Sequence, residues 1–160
     1  MIVDNNSMEI FKNEEFGSFR MVDENGKFLF CGSDIAKALG YTNPNKAIND
    51  HCRAITKRST PISGKMQEIN FINEGDVYRL ITHSKLPSAI RFEAWVFDEV
   101  LPTIRKHGAY MTDELLDRIE ADKEIVSDIT AKMVAERRSH EQTRKALSDA
   151  LPKVEYFDAF

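Results

Sequence analysis

Residues Arg91–Tyr110 read RFEAWVFDEVLPTIRKHGAY. With Ala89 just upstream, the apolar positions Phe92, Trp95, Val96 and Val100 make a continuous stripe at helical spacing, so a helix is expected after Pro87. Pro102 lacks a backbone donor and its ring crowds the preceding turn, which predicts a break or kink there. Arg105, Lys106 and His107 suit the carbonyl end of a helix dipole, and Gly108 is the stop. Trp95 is the only tryptophan of the chain. Large aromatics bury the most area, so it is expected to be buried and to anchor the core.

Upstream of this stretch, hairpin and helix signals alternate. FGSFRMV and KFLFC are strand-prone runs within residues 16–31, joined through Asn25-Gly26, a dipeptide that favours a tight primed turn. Ser33 is the expected N-cap of a short helix over DIAKAL, with Asp34 and Lys37 facing water and Gly40 as the stop. Asn43-Pro44 starts a second short helix through Ala47 and Ile48. Residues 52–72 read as a looser hairpin whose loop is Ser59–Lys65, with Ile69 and Phe71 on the buried side. Asn73 caps the next helix, on which Val77, Leu80 and Ile81 share one face. This order predicts an α+β fold: small antiparallel β-hairpins packed with short helices, without the strand-helix-strand regularity of parallel α/β folds.

Downstream, Thr112 is the expected N-cap of a long helix reaching Ala150, because 113–150 hold no glycine or proline and Pro152 ends the run. Such a helix is roughly 55 Å long. Leu115, Ile119, Val126, Ile129 and Met133 fit one narrow seam, continued weakly by Leu147, with Asp122, Glu136, His140 and Thr143 interrupting it. A narrow seam suits a homo-oligomeric coiled coil better than docking on the chain's own globular part, which is the other reading.

Composition narrows the function. Of the 160 residues 42% are hydrophobic and 30% charged, enough for one modest domain with an appendage. No apolar run approaches the roughly 18–20 residues of a membrane span, and the start of the chain lacks a secretory pattern. Cys31 and Cys52 have no zinc-like spacing and are expected to be reduced structural residues of a cytosolic protein. P-loop, GxSxG, HExxH and Rossmann glycine patterns are absent, and His51, His83 and His107 have no triad-like neighbours. No catalytic, metal or cofactor site is expected.

The net charge of −4 argues against a nonspecific nucleic-acid binder. It is also uneven: residues 8–110 hold 14 Lys and Arg against 13 Asp and Glu, whereas 111–160 hold 8 against 12. A DNA surface must therefore be local. Lys46, Arg53, Lys57, Arg58 and Lys65 form the one basic cluster, with only Asp50 against them, and Lys57, Arg58 and Lys65 flank the Ser/Thr/Gly loop. Such a hairpin can lie along a phosphate backbone. The same lysines also serve to protect an edge strand from pairing, and both readings stay open.

FGSFRMV, SDIAKALGYTNPNKAINDHC, INEGDVYRLI and SKLPSAIRFEAWVFDEVLPTIRKHGAY together resemble the Bro-N domain of phage antirepressors and of the Bro proteins of large DNA viruses, over about residues 8–111. Residues 112–151 are then a helical linker. The last residues, PKVEYFDAF (152–160), resemble the opening of a KilA-C type C-terminal domain, so that on this reading the chain stops where a second domain starts. The resemblance implies a non-enzymatic transcription regulator in the cytoplasm of a bacterial host, which binds a phage repressor protein and relieves repression. The alternative is a regulator that binds DNA directly through the cluster at 46–65.

Overall fold

The computed structural model describes residues 8–13, 17–24 and 26–150. The chain divides into two compact units between Gly108 and Ala109. In the first, β1 (Met8–Asn13), β2 (Gly17–Glu24), β3 (Lys27–Cys31), β4 (Ile55–Ile62) and β5 (Lys65–Asn73) form one antiparallel sheet in the order β1-β2-β3-β5-β4. Around it run α1 (Gly32–Ala38), α2 (Pro44–His51), α3 (Glu74–His83) and α4 (Pro87–Trp95), the last continued by a π-helical turn (Val96–Val100) and α5 (Leu101–His107). The fold is α+β.

Strand alternation divides the apolar residues between two clusters. Phe30 and Ile72, paired across β3 and β5, join Ile35, Ala36, Leu39, Ala47, Ile48, Leu80 and Ala89 of the helices in the main core. Cys31 and Phe71, the next pair along, belong instead with Val22 and Ile69 in a second cluster. Two long-range hydrogen bonds tie α3 and the residue after it to the α1 region: the Tyr41 hydroxyl donates to the Leu80 carbonyl, and that of Ser84 to the Leu39 carbonyl, each at 2.7 Å.

Several local expectations hold. The β2–β3 hairpin pairs Glu24 with Lys27, and Gly26 has a left-handed φ of 83°; Asn25 lies outside the described residues. The side chains of Asn43, Asn73 and Thr112 accept N–H groups of Lys46, Asp76 and Leu115, as N-caps do. Others are corrected. Ser33 is not a cap: α1 starts at Gly32, with Cys31 before it and no side-chain cap. Asp34 does not face water; its carboxylate takes two charge-assisted bonds from the Arg20 guanidinium at 2.8 Å, so α1 is fastened to β2. The second hairpin is tight rather than loose. Its strands run on through Ser59–Ile62 and turn at Ser63 (φ 50) and Gly64 (φ 77), the left-handed pair of a primed two-residue turn. Strand β1 had no counterpart in the sequence reading.

Pro102 does not break its helix. The π-helical turn stands immediately before it, and the wider i→i+5 winding gives room to a residue that lacks a donor and crowds the carbonyl four positions back. Trp95, expected inside, is 41% exposed. Ala89 fills the buried position of that helix instead, because a small residue lets the helix lie close to the core.

The second unit contains α6 (Asp113–Ala121) and α7 (Glu124–Ala150). The single helix from Thr112 is thereby corrected to two, the long one starting at Glu124. Asp122 takes up extended backbone (φ −143, ψ 104), and its side chain accepts the Glu124 N–H at 3.0 Å. An aspartate that can cap the following turn competes with helix continuation.

Candidate functional site

Of the five cluster residues, Lys57, Arg58 and Lys65 lie on the β4–β5 hairpin, Arg53 at its root and Lys46 on α2. Register separates them further. Arg58 stands opposite Ile69 and Lys65 opposite Ile62, on the face carrying Phe71, whereas Lys57 stands opposite Asn70 on the other face. Three of the five are matched by carboxylates: Lys57 with Glu68 at 2.9 Å, Arg58 with Glu24, and Lys46 with Asp50. Arg58 also lies over the Phe71 ring, 6.0 Å from its centroid. Among the described residues only Arg53 and Lys65 of the five lack an ion-pair partner. The hairpin is less positive than its sequence suggests, because Glu68 across the hairpin and Glu24 of β2 supply anions.

The hairpin root is fastened by a buried acid. Asp76, fully buried at the start of α3, accepts the backbone N–H groups of Arg53 and Ala54 at 2.9 Å and the Arg79 guanidinium at 2.7 Å. Burial pushes its carboxyl up, but these N–H groups and the Arg79 charge outweigh it and hold the group below the usual carboxylate range. Beside it, burial and the Asp76 charge push the Cys52 thiol up to about 11. Cys52, half-buried, and Cys31, buried, are both free thiols. No group of three or more His, Cys, Asp or Glu side chains suited to a metal ion occurs among the described residues.

A surface that the sequence reading assigned to the core lies elsewhere in the same unit. Tyr78 and Thr82 of α3 face Phe92, Glu93, Trp95, Val96, Phe97 and Val100 across a groove of about 350 Å³. The Tyr78 and Phe92 rings stack with centroids 6.2 Å apart, and Trp95 is tilted against Phe92 at 5.7 Å. The Tyr78 hydroxyl donates to Glu74 Oε1 at 2.6 Å, a bond that, with burial, pushes the phenol up to about 12. The groove therefore offers aromatic walls with Glu93 in its lining and Glu74 at its edge. Along the same helical run of about four turns, Ile90, Trp95, Phe97, Leu101 and Ile104 are between 41% and 52% exposed, an extended row of large apolar side chains of the kind that marks an interaction surface. The aromatic spacing 92-95-97 in the sequence was the available signal, but a single stripe can face either a core or a partner.

The seam residues are distributed over two helices, Leu115 and Ile119 on α6 and Val126, Ile129 and Met133 on α7. All five are exposed or half-exposed. No helix among the described residues is long and apolar enough to cross a membrane.

The sequence pattern described as BRO family, N-terminal domain, matches residues 18–102. An uncharacterized protein of Haemophilus influenzae is 54% identical over 92 residues, covering 56% of this chain and 46% of its own length. An uncharacterized Bro-N domain-containing protein of Acanthamoeba polyphaga mimivirus is 28% identical over 150 residues, 83% of this chain and 61% of its own. Another such protein, from Autographa californica nuclear polyhedrosis virus, is 26% identical over 140 residues, 76% of this chain and 42% of its own. The chain thus spans less than two thirds of each of these relatives. No solved structure matches it.

Proposed function

Since the chain belongs to the BRO family through its N-terminal domain, we propose that it is a non-enzymatic, antirepressor-type transcription regulator of a phage or prophage, which binds a phage repressor and relieves repression. The aromatic groove at Trp95, with Glu93 in its apolar lining, carries this reading. Tyrosine and tryptophan are enriched among the residues that dominate protein interfaces. Glu93 and Glu74 suit a partner that is basic because it holds DNA, and complementary charge speeds such an encounter. The acidic balance of residues 111–160 favours the same kind of partner. Action on operator-bound repressor places the protein in the cytoplasm of a bacterial host. Residues 152–160, which lie outside the described ones, are read as the start of a KilA-C type domain, and α6 and α7 as the oligomerising segment.

A second reading, direct DNA binding through the β4–β5 hairpin, is favoured by one observation: Lys65 stands beside the tight turn with no ion-pair partner among the described residues. Co-purification with the repressor encoded beside this protein, with and without operator DNA, separates the two. Capture of the repressor, weakened by Trp95→Ala, is expected. If the repressor is not captured while the chain retards operator DNA, the DNA-binding reading replaces the first.

A further inference from the structure

Glu93 is half-buried in the lining of the Trp95 groove, and its carboxylate has neither an ion pair nor a hydrogen bond among the described residues. Holding a carboxylate partly out of water costs free energy unless a cation or a donor meets it. Among the described residues, the other acids of the first unit held from full exposure are Glu24, Asp34 and Asp76. Each of them meets an arginine: Arg58, Arg20 and Arg79 in turn. Glu93 has the same need and no arginine of its own.

The walls around it favour the same kind of group. Tyr78 and Trp95 are 46% and 41% exposed, so their rings are open to a ligand. The Tyr78 and Phe92 rings are within 11° of parallel, and a flat group lying on one is aligned with the other. A phenol that donates its proton to a carboxylate, as Tyr78 does to Glu74, has a more electron-rich ring. Aromatic faces attract cations, and apolar walls reduce the screening of a charge pair formed between them. A guanidinium is flat and weakly hydrated, and it can stack on a ring while its N–H fork meets a carboxylate. A lysine ammonium is a compact, strongly hydrated point charge and gains less there.

On the reading of this groove as a partner-contact surface, we propose that its occupant is an arginine side chain of a basic protein. The guanidinium lies against the Tyr78, Phe92 and Trp95 rings, with its N–H groups donating to the Glu93 carboxylate. The partner thus supplies the arginine that the fold itself does not.

The test contains no repressor. The full chain is titrated at low salt with end-capped tetra-arginine, tetra-lysine and tetra-citrulline, the last being the uncharged analogue of the first. Calorimetry measures the affinity, and the emission of Trp95, the only tryptophan, locates the binding. Tetra-arginine is expected to bind with a saturable change in emission, tetra-lysine at least about fivefold more weakly, and tetra-citrulline not at all. Glu93→Gln should weaken tetra-arginine roughly tenfold, as for loss of a charge-assisted bond. Tyr78→Leu should weaken it roughly threefold, as for loss of an exposed cation–π contact. Glu114→Gln, which removes the same charge from an exposed position of α6, should leave the affinity unchanged. Equal binding of tetra-lysine, binding of tetra-citrulline, an unchanged Trp95 emission, or a Glu93→Gln chain that binds as tightly as the native one overturns the proposal. If tetra-arginine fails while Trp95→Ala still weakens capture of the repressor, the groove keeps its protein partner and loses only this ligand. If tetra-arginine binds as expected and the repressor is not captured, the arginine site stands and the choice of partner fails.

Discussion

Asp76 Oδ1 accepts the backbone N–H of Arg53 at 2.9 Å, joining the first turn of α3 to a residue 23 positions earlier. With the Ala54 N–H on its second oxygen, this carboxylate fixes where the β4–β5 hairpin leaves the body of the domain. The direction of the basic hairpin is therefore set by a buried acid.

Asp76→Asn removes the charge and turns one acceptor into a donor facing an N–H group. It should lower stability by about 1.5–3 kcal/mol at pH 7, the range for hydrogen bonds to a charged group. Because the folded carboxyl titrates below its ordinary value, its stabilisation is present above the unfolded pKa near 4 and is lost as pH falls through the folded one. Urea titrations by circular dichroism should show the gap between the two proteins closing below about pH 4. A gap unchanged down to pH 3 would mean that the carboxylate contributes nothing through its charge.

Trp95→Ala should cost about 1–2 kcal/mol, well short of the 3–5 kcal/mol typical of a buried aromatic. The native tryptophan emission should be red-shifted and readily quenched by acrylamide. Blue emission protected from quencher would place the ring inside, or beneath a partner.

Most of the fold was legible because the signals were short-range and redundant. Asn43 and Asn73 are N-caps, Glu24 and Lys27 pair across a two-residue connection, and the apolar face of Val77, Leu80 and Ile81 is the buried face of α3. The misreadings share one cause: a local pattern has two physical solutions, and long-range contact chooses between them. The stripe at Phe92 and Trp95 was assigned to the core, yet Ala89 holds the buried position. Asp34 looked like a solvated first-turn acid until Arg20, fourteen positions earlier, was brought to it. The basic cluster lost half its apparent charge because Glu24 and Glu68, remote or across the hairpin, were folded against it.

Asp122 should behave as a helix interrupter by choice of residue rather than by strain. Asp122→Ala removes the cap of α7, worth about 0.5–2 kcal/mol, and puts the best helix former in its place. Helicity at 222 nm should rise, and spin labels at Ile119 and Val126 should settle near the roughly 10 Å expected for seven residues of one helix. An unaltered label distance would show that something other than Asp122 sets the break.

Any direct DNA binding should be weak at physiological salt. Replacing Lys57, Arg58 and Lys65 with alanine should abolish a low-salt mobility shift, and the salt slope of the native chain should be near −0.9 for each phosphate neutralised. Arg53→Ala with Lys65→Ala should lose more binding than Lys57→Ala with Arg58→Ala, since the latter two already face carboxylates. Equal losses would show that the ion pairs open on DNA, and an unchanged shift would put the contact elsewhere.

Protein contact at the aromatic groove is most directly measured by operator release. A labelled operator is held by the repressor encoded beside this protein, and the full chain is titrated in while operator occupancy is followed. The account predicts that the native chain frees the operator, and that Trp95→Ala and Glu93→Lys each shift the titration to higher concentration by about tenfold or more, as for loss of an interface anchor. An operator that stays occupied at every concentration, or one released equally well by both variants, would contradict it.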